Sequence, residues 1–155
     1  MSTDYEFVNP EDRPALVGVA LPLWHQAALT ALTELNYKIH FAASQAEFLS
    51  RLSQVRYPLA LLEEGFAAPN PAENVCLQKI QAQPMNQRRT TVFFLLGDHF
   101  QTLNPLQAFQ YSVQAVVNQT EAGRLKALIE RVMADHEEFV RVFLATQRET
   151  VLGER

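Results

Sequence analysis

Two rhythms of apolar residues alternate along this chain. Ala15 to Leu21 (ALVGVAL) is a continuous apolar run, the pattern of a strand buried on both faces of a parallel sheet. Pro22 then opens a predicted helix over Leu23–Asn36, with Trp24, Ala28, Ala31 and Leu35 on one face. Tyr37–Ala43 alternates as a second strand. Ser44 and Glu47 have the spacing of a capping box and start a helix through Val55, with Phe48, Leu49 and Leu52 as its buried stripe. Tyr57–Leu62 is the third strand and ends at Glu63-Glu64-Gly65. Two prolines and an asparagine make Phe66–Pro71 a loop. A short helix follows over Ala72–Gln83, stopped by Pro84. Arg89–Leu96 (RTTVFFLL) is the strand of highest β-propensity, broken by Gly97. Asn104-Pro105 caps and starts a short fourth helix. Val113–Asn118 is the fifth strand, and Thr120 is the expected cap of a long last helix.

Five β-α repeats predict an α/β fold, a parallel sheet with helices on both faces. The expected order is 2-1-3-4-5, the flavodoxin-like arrangement. Residues 1–14 form an N-terminal arm, 15–150 one domain that includes the extended last helix, and 151–155 a tail.

The whole-chain numbers narrow the function classes. The 155 residues are enough for one domain with its own core. A net charge of −4 argues against a nucleic-acid surface, which is normally basic. Cys76 is the only cysteine, so an internal disulfide or a multi-cysteine zinc site is excluded. The first ten residues lack the apolar core of a signal peptide, and no apolar run reaches the ~20 residues that span a bilayer. The expectation is a cytoplasmic protein with no membrane contact.

In an open sheet of this order, ligands bind at the carboxyl ends of the strands. There the chain resembles a response-regulator receiver domain with its chemistry removed. YPLALLE (Tyr57–Glu63) resembles the receiver's third strand, which ends in the phosphoacceptor aspartate. Glu63 takes that place, or Glu64 if the match slips by one. VALPLW (Val19–Trp24) resembles the end of the first strand, with Ala20 and Leu21 where receivers carry an acidic pair. VFFLLG (Val92–Gly97) puts Leu96 in place of a threonine or serine. VQAVVNQ (Val113–Gln119) puts Asn118 in place of the lysine. Magnesium needs hard oxygen ligands, and phosphoryl transfer needs charge stabilisation. The resemblance therefore implies a pseudo-receiver that is not phosphorylated. Arg88–Gln119 and ADHEEFVRVF (Ala134–Phe143) also resemble the receiver-like domain of deltaproteobacterial zinc-ribbon proteins, although one cysteine cannot build the ribbon. That domain brings no activity with it.

Other candidates are weaker. Glu63 has two readings, a mimic of phosphoaspartate or a solvated strand-end acid, and the second is favoured because a carboxylate lacks the third oxygen. Asp98-His99 is a polar pair on a loop without a visible nucleophile. Cys76 fits a small core residue. Arg88-Arg89 fits a solvated edge. His25, His40, His99 and His136 lack helical metal spacing. The turns ALPLW and LGDHF are not phosphate loops. No catalytic residue, cofactor or metal is expected.

The last helix carries the positive signal. Apolar residues recur at helical spacing from Leu125 to Leu144, along a helix expected over Glu121–Gln147, ~40 Å long. Strands of ~20 Å cover only its first turns, which leaves Phe139, Val140, Phe143 and Leu144 beyond the core. With Phe109 and Tyr111 these form the expected interaction surface, on the face of the fourth helix, fifth strand and last helix that the resemblance to receivers implies for partner binding. The expected function is a non-catalytic signalling or scaffolding module that contacts protein partners and pairs as a homodimer through the last helix. The alternative is a small-molecule or nucleotide-binding flavodoxin-like domain.

Overall fold

A computed structural model describes residues 13–66, 74–82 and 91–153. The N-terminal arm up to residue 12, most of the predicted 66–71 loop and the Arg88-Arg89 pair lie outside the described residues. So do the chain end beyond 153 and the side chains of Phe143 and Leu144.

Among the described residues there are five strands: β1 (Pro14–Gly18), β2 (Lys38–Phe41), β3 (Leu59–Glu63), β4 (Val92–Gly97) and β5 (Ala115–Asn118). The helices are α1 (Pro22–Glu34), α2 (Gln45–Gln54), α3 (Val75–Ala82), α4 (Pro105–Tyr111) and α5 (Leu125–Gly153). The strands pair parallel in the order β2-β1-β3-β4-β5, as the alternation of elements predicts. Each strand feeds one residue to each face in turn. Ala15, Val17, Leu59, Leu61, Phe94 and Leu96 pack with Trp24, Leu32, Leu128 and Ile129 on the α1/α5 side. Leu16, Ala60, Leu62, Phe93 and Leu95 pack with Phe48, Tyr57, Cys76 and Ile80 on the other.

Several details differ from the sequence pattern: β4 includes Gly97 rather than ending before it, and three further differences bear on how the elements pack. The apolar run of the first strand continues to Leu21, but β1 ends at Gly18. A Cβ on Gly18 would stand 2.8 Å from the Phe48 ring and 3.0 Å from that of Phe66, so both rings close over the strand end. Val19–Leu21 then turn into α1, with Ala20 exposed. Leu32, rather than Leu35, is the fully buried leucine of α1; Leu35 is its C-cap.

The third difference concerns the last helix. Thr120 does not cap it. Asn118 Oδ1 accepts from both the Thr120 amide (2.9 Å) and the Thr120 hydroxyl (2.8 Å), so that hydroxyl is used as a donor. A 3-10 turn over Gln119–Arg124 follows, and α5 starts at Leu125. Ser44 does cap α2, accepting from the Glu47 amide at 3.1 Å, while Glu47 reaches back to the Ala43 amide at 2.9 Å.

At 29 residues α5 is about 44 Å long. Its core packing ends at Val132 and Met133, which are half-buried. Among the described residues, no helix is long and apolar enough to cross a membrane.

Candidate functional site at the strand ends

The end of β3 carries two adjacent glutamates, and the fold treats them oppositely. Glu63 pairs with Leu96 across the sheet and is buried. Its Oε1 accepts from the amides of Ala20 (2.7 Å) and Leu21 (3.1 Å). Leu21 is the N-cap of α1 and offers no side-chain acceptor of its own. The Glu63 carboxylate supplies one, and its charge lies at the favourable end of the helix dipole. It is neither solvated nor free. Buried Asn74, just before α3, donates to the carbonyls of Glu63 (3.3 Å) and Glu64 (3.2 Å) and fixes the turn between them.

The other expected positions are also occupied by structure. Leu96 is fully buried in the α1/α5 core. Asn118 Nδ2 donates to the carbonyls of Phe100 (2.6 Å) and Asp98 (3.2 Å) while its Oδ1 caps the following turn. It ties the loop after β4 to the end of β5, where a lysine would project.

Glu64 turns the other way. Its amide donates to the Leu96 carbonyl at 2.8 Å, and its buried side chain lies across β4 against Gly97. A Cβ on Gly97 would collide with the Glu64 carboxyl and stand 2.8 Å from the Phe100 ring. Oε2 of Glu64 is 2.7 Å from Nε2 of His99, and Nδ1 of His99 is 3.3 Å from Oδ1 of Asp98. Burial pushes the Glu64 carboxyl above the usual carboxylate range; His99 and the Asp98 amide pull it back only in part. Asp98 and His99 were visible in the sequence as a loop pair. Glu64 as their third member was not, because only the pairing of β3 with β4 makes them neighbours.

Cys76 is buried and donates to the Gln45 carbonyl at 3.6 Å; burial pushes its thiol up to about 12. Desolvation of the thiolate makes it inert, as expected of a core cysteine. On the predicted interaction surface, Phe109 is 82% and Phe139 58% exposed. Tyr111 is half-buried, edge-on to Phe100 at 5.6 Å, and Val140 is half-buried. Leu106 and Val142 are exposed and were not anticipated.

No protein-family model matches the chain, and no curated protein does. Solved structures match well in shape. The chemotaxis response regulator CheY4 of Vibrio cholerae is 16% identical with a TM-score of 0.57, over 78% of this chain and 98% of that one. The signal receiver domain of an HD domain-containing protein from Pseudomonas fluorescens is 15% identical with a TM-score of 0.59, over 87% and 98%. A fusion carrying the trimeric coiled coil of yeast Spc42 is 14% identical with a TM-score of 0.64, over 92% and 88%. The fold is thus that of response-regulator receiver domains, with a long C-terminal helix.

Proposed function

We propose that this chain is a non-catalytic, cytoplasmic pseudo-receiver, a signalling or scaffolding module that works by protein contact and is not phosphorylated. The observation that carries the reading is the engagement of Glu63. In the receiver pattern this place belongs to the phosphoacceptor, with Glu64 the neighbouring alternative. Here Glu63 caps α1 through the Ala20 and Leu21 amides. No acid stands beside it at Ala20 or Leu21, and Asn118 is bound into the loop. A metal-assisted transfer would lack its ligands and its charge stabilisation. Incubation with acetyl phosphate and magnesium followed by intact-mass measurement is expected to show no adduct. A stoichiometric phosphoryl adduct overturns the reading.

The partner face is the outer side of α4 and the distal half of α5. Phe109, Leu106, Phe139 and Val142 present exposed apolar surface there, of the kind that marks interaction sites. A second copy is the proposed occupant, because two-fold pairing lets one patch cover its own copy. The match to a coiled-coil fusion supports a role for the long last helix in assembly. Sedimentation should find a dimer at tens of micromolar (roughly 10–50 μM), and Phe139→Asp should split it without lowering helix content. A monomeric parent chain sinks the dimer but leaves the phosphorylation result standing. The small-molecule reading draws no support from the junction of β1 and α1, where the Glu63 carboxylate and the Ala20 and Leu21 amides already serve each other.

A further inference from the structure

The end of β3 and β4 holds a cluster that a passive scaffold does not need. Glu64 is 8% exposed, and its Oε2 accepts no hydrogen bond. Yet this oxygen is 2.7 Å from Nε2 of His99. On the far side of the ring, Nδ1 faces Oδ1 of Asp98 at 3.3 Å. A neutral imidazole that donates from Nδ1 presents a lone pair at Nε2. A cation between these two bases, either a proton on the imidazole or a metal ion, would satisfy both. The donor atoms of Glu64, Asp98 and His99 all lie within 4.8 Å of one another.

We propose that Glu64, Asp98 and His99 form a binding site for a divalent transition-metal ion of the zinc type. One imidazole and two carboxylates suit zinc better than magnesium or calcium, which favour all-oxygen shells. Zinc bonds of ~2.0–2.2 Å place tetrahedral donors ~3.3 Å apart. Glu64 and His99 therefore spread slightly, and Asp98, 71% exposed at its side chain, swings inward. Glu64 is the fixed point, because Gly97 leaves room for its carboxyl and Asn74 holds the turn beneath it. Three protein donors leave a fourth position open to water or to a carboxylate from a partner. All three donors come from one chain, so the site does not need a dimer.

Isothermal titration of the full chain with zinc chloride in chelator-free buffer tests the proposal. The expected result is one saturable site with a dissociation constant on the order of micromolar, undisturbed by millimolar magnesium. Glu64→Gln and His99→Ala should each weaken it at least ~10-fold, and Asp98→Asn by ~10-fold or more. Cobalt(II) in place of zinc should give visible absorption of a four-coordinate centre that disappears in His99→Ala. Absence of a saturable site overturns the proposal. So does unchanged affinity in Glu64→Gln and His99→Ala, which would send the ion to other histidines. If Glu64→Gln fails to fold, His99→Ala decides alone, since its side chain is 55% exposed.

Discussion

Glu63 and Glu64 are neighbours in sequence and opposites in environment. Glu63 sits where β1 meets α1 and has two backbone amides on one oxygen. Glu64 sits over β4 and faces the Asp98 carboxylate and the His99 imidazole, with Oε2 2.7 Å from Nε2 of His99. On the β1 side the strand end is closed by its own hydrogen bonds; on the β4 side His99 and the Asp98 amide offset the burial of Glu64 only in part. Both residues are buried acids, so burial alone does not tell them apart. The donors aimed at each one do.

The largest test of this contrast concerns how closed the first end is. Cys76 packs behind the β3 turn with its thiol raised to about 12 from an ordinary 9.0. At pH 8 its thiolate fraction should be roughly a thousandfold below that of a free cysteine, since each unit is a factor of ten. A chromogenic disulfide reagent should label the native chain that much more slowly than the urea-unfolded chain. Equal rates would show that this side opens readily.

Substitution of each glutamate comes next. Glu63→Ala strips the acceptor from two amides at the start of α1 and should cost about 2–3 kcal/mol in urea unfolding. Glu63→Gln keeps a carbonyl oxygen in place and should recover more than half of that. Glu64→Gln removes a desolvated charge and should change stability by less than about 1 kcal/mol. Equal losses at the two positions would break the comparison.

The smallest effect lies at Glu47, an acid that resembles Glu63 in accepting a backbone amide. The Ala43 amide, helped by Arg51 3.0 Å away, holds its carboxyl below the usual carboxylate value of 4.5. The group is deprotonated more readily in the folded chain. Its contribution is therefore complete above that usual value and is lost as pH falls through the lower, folded-state one. Glu47→Gln should cost about 0.5–1 kcal/mol at pH 7, the scale of a helix cap, and the difference from the parent should vanish in acid. A difference that persists below the folded-state value would mean that the charge plays no part.

Much of the fold was legible because it rests on local repetition. Strand runs such as VFFLLG and helix stripes such as Trp24, Ala28 and Ala31 carry their period in the sequence, and the alternation of elements leaves few topologies. Ala20, Leu21, Glu63 and Asn118 were legible as strand-end positions for the same reason, since they lie at or just after the ends of recognisable runs. The end of β1 was not, because Gly18 is defined by the rings of Phe48 and Phe66, which come from other elements. Nor was the cap of the last segment, since Asn118 and Thr120 both look like caps and only the direction of their hydrogen bond separates them.

The sequence by itself determined an α/β domain in the 2-1-3-4-5 order, an adjacent pair of glutamates at the end of its third strand, and a last helix longer than its sheet. The tertiary structure alone decided what the two glutamates touch, that Glu64 meets Asp98 and His99, and which apolar side chains of α4 and α5 remain in water. The physical reason is that periodicity is written along the chain, whereas a side chain's electrostatic surroundings are set by strands that pair across it. Consecutive residues at a strand end point to different neighbours, so a shift of one position turns a helix-capping acid into a member of a polar cluster.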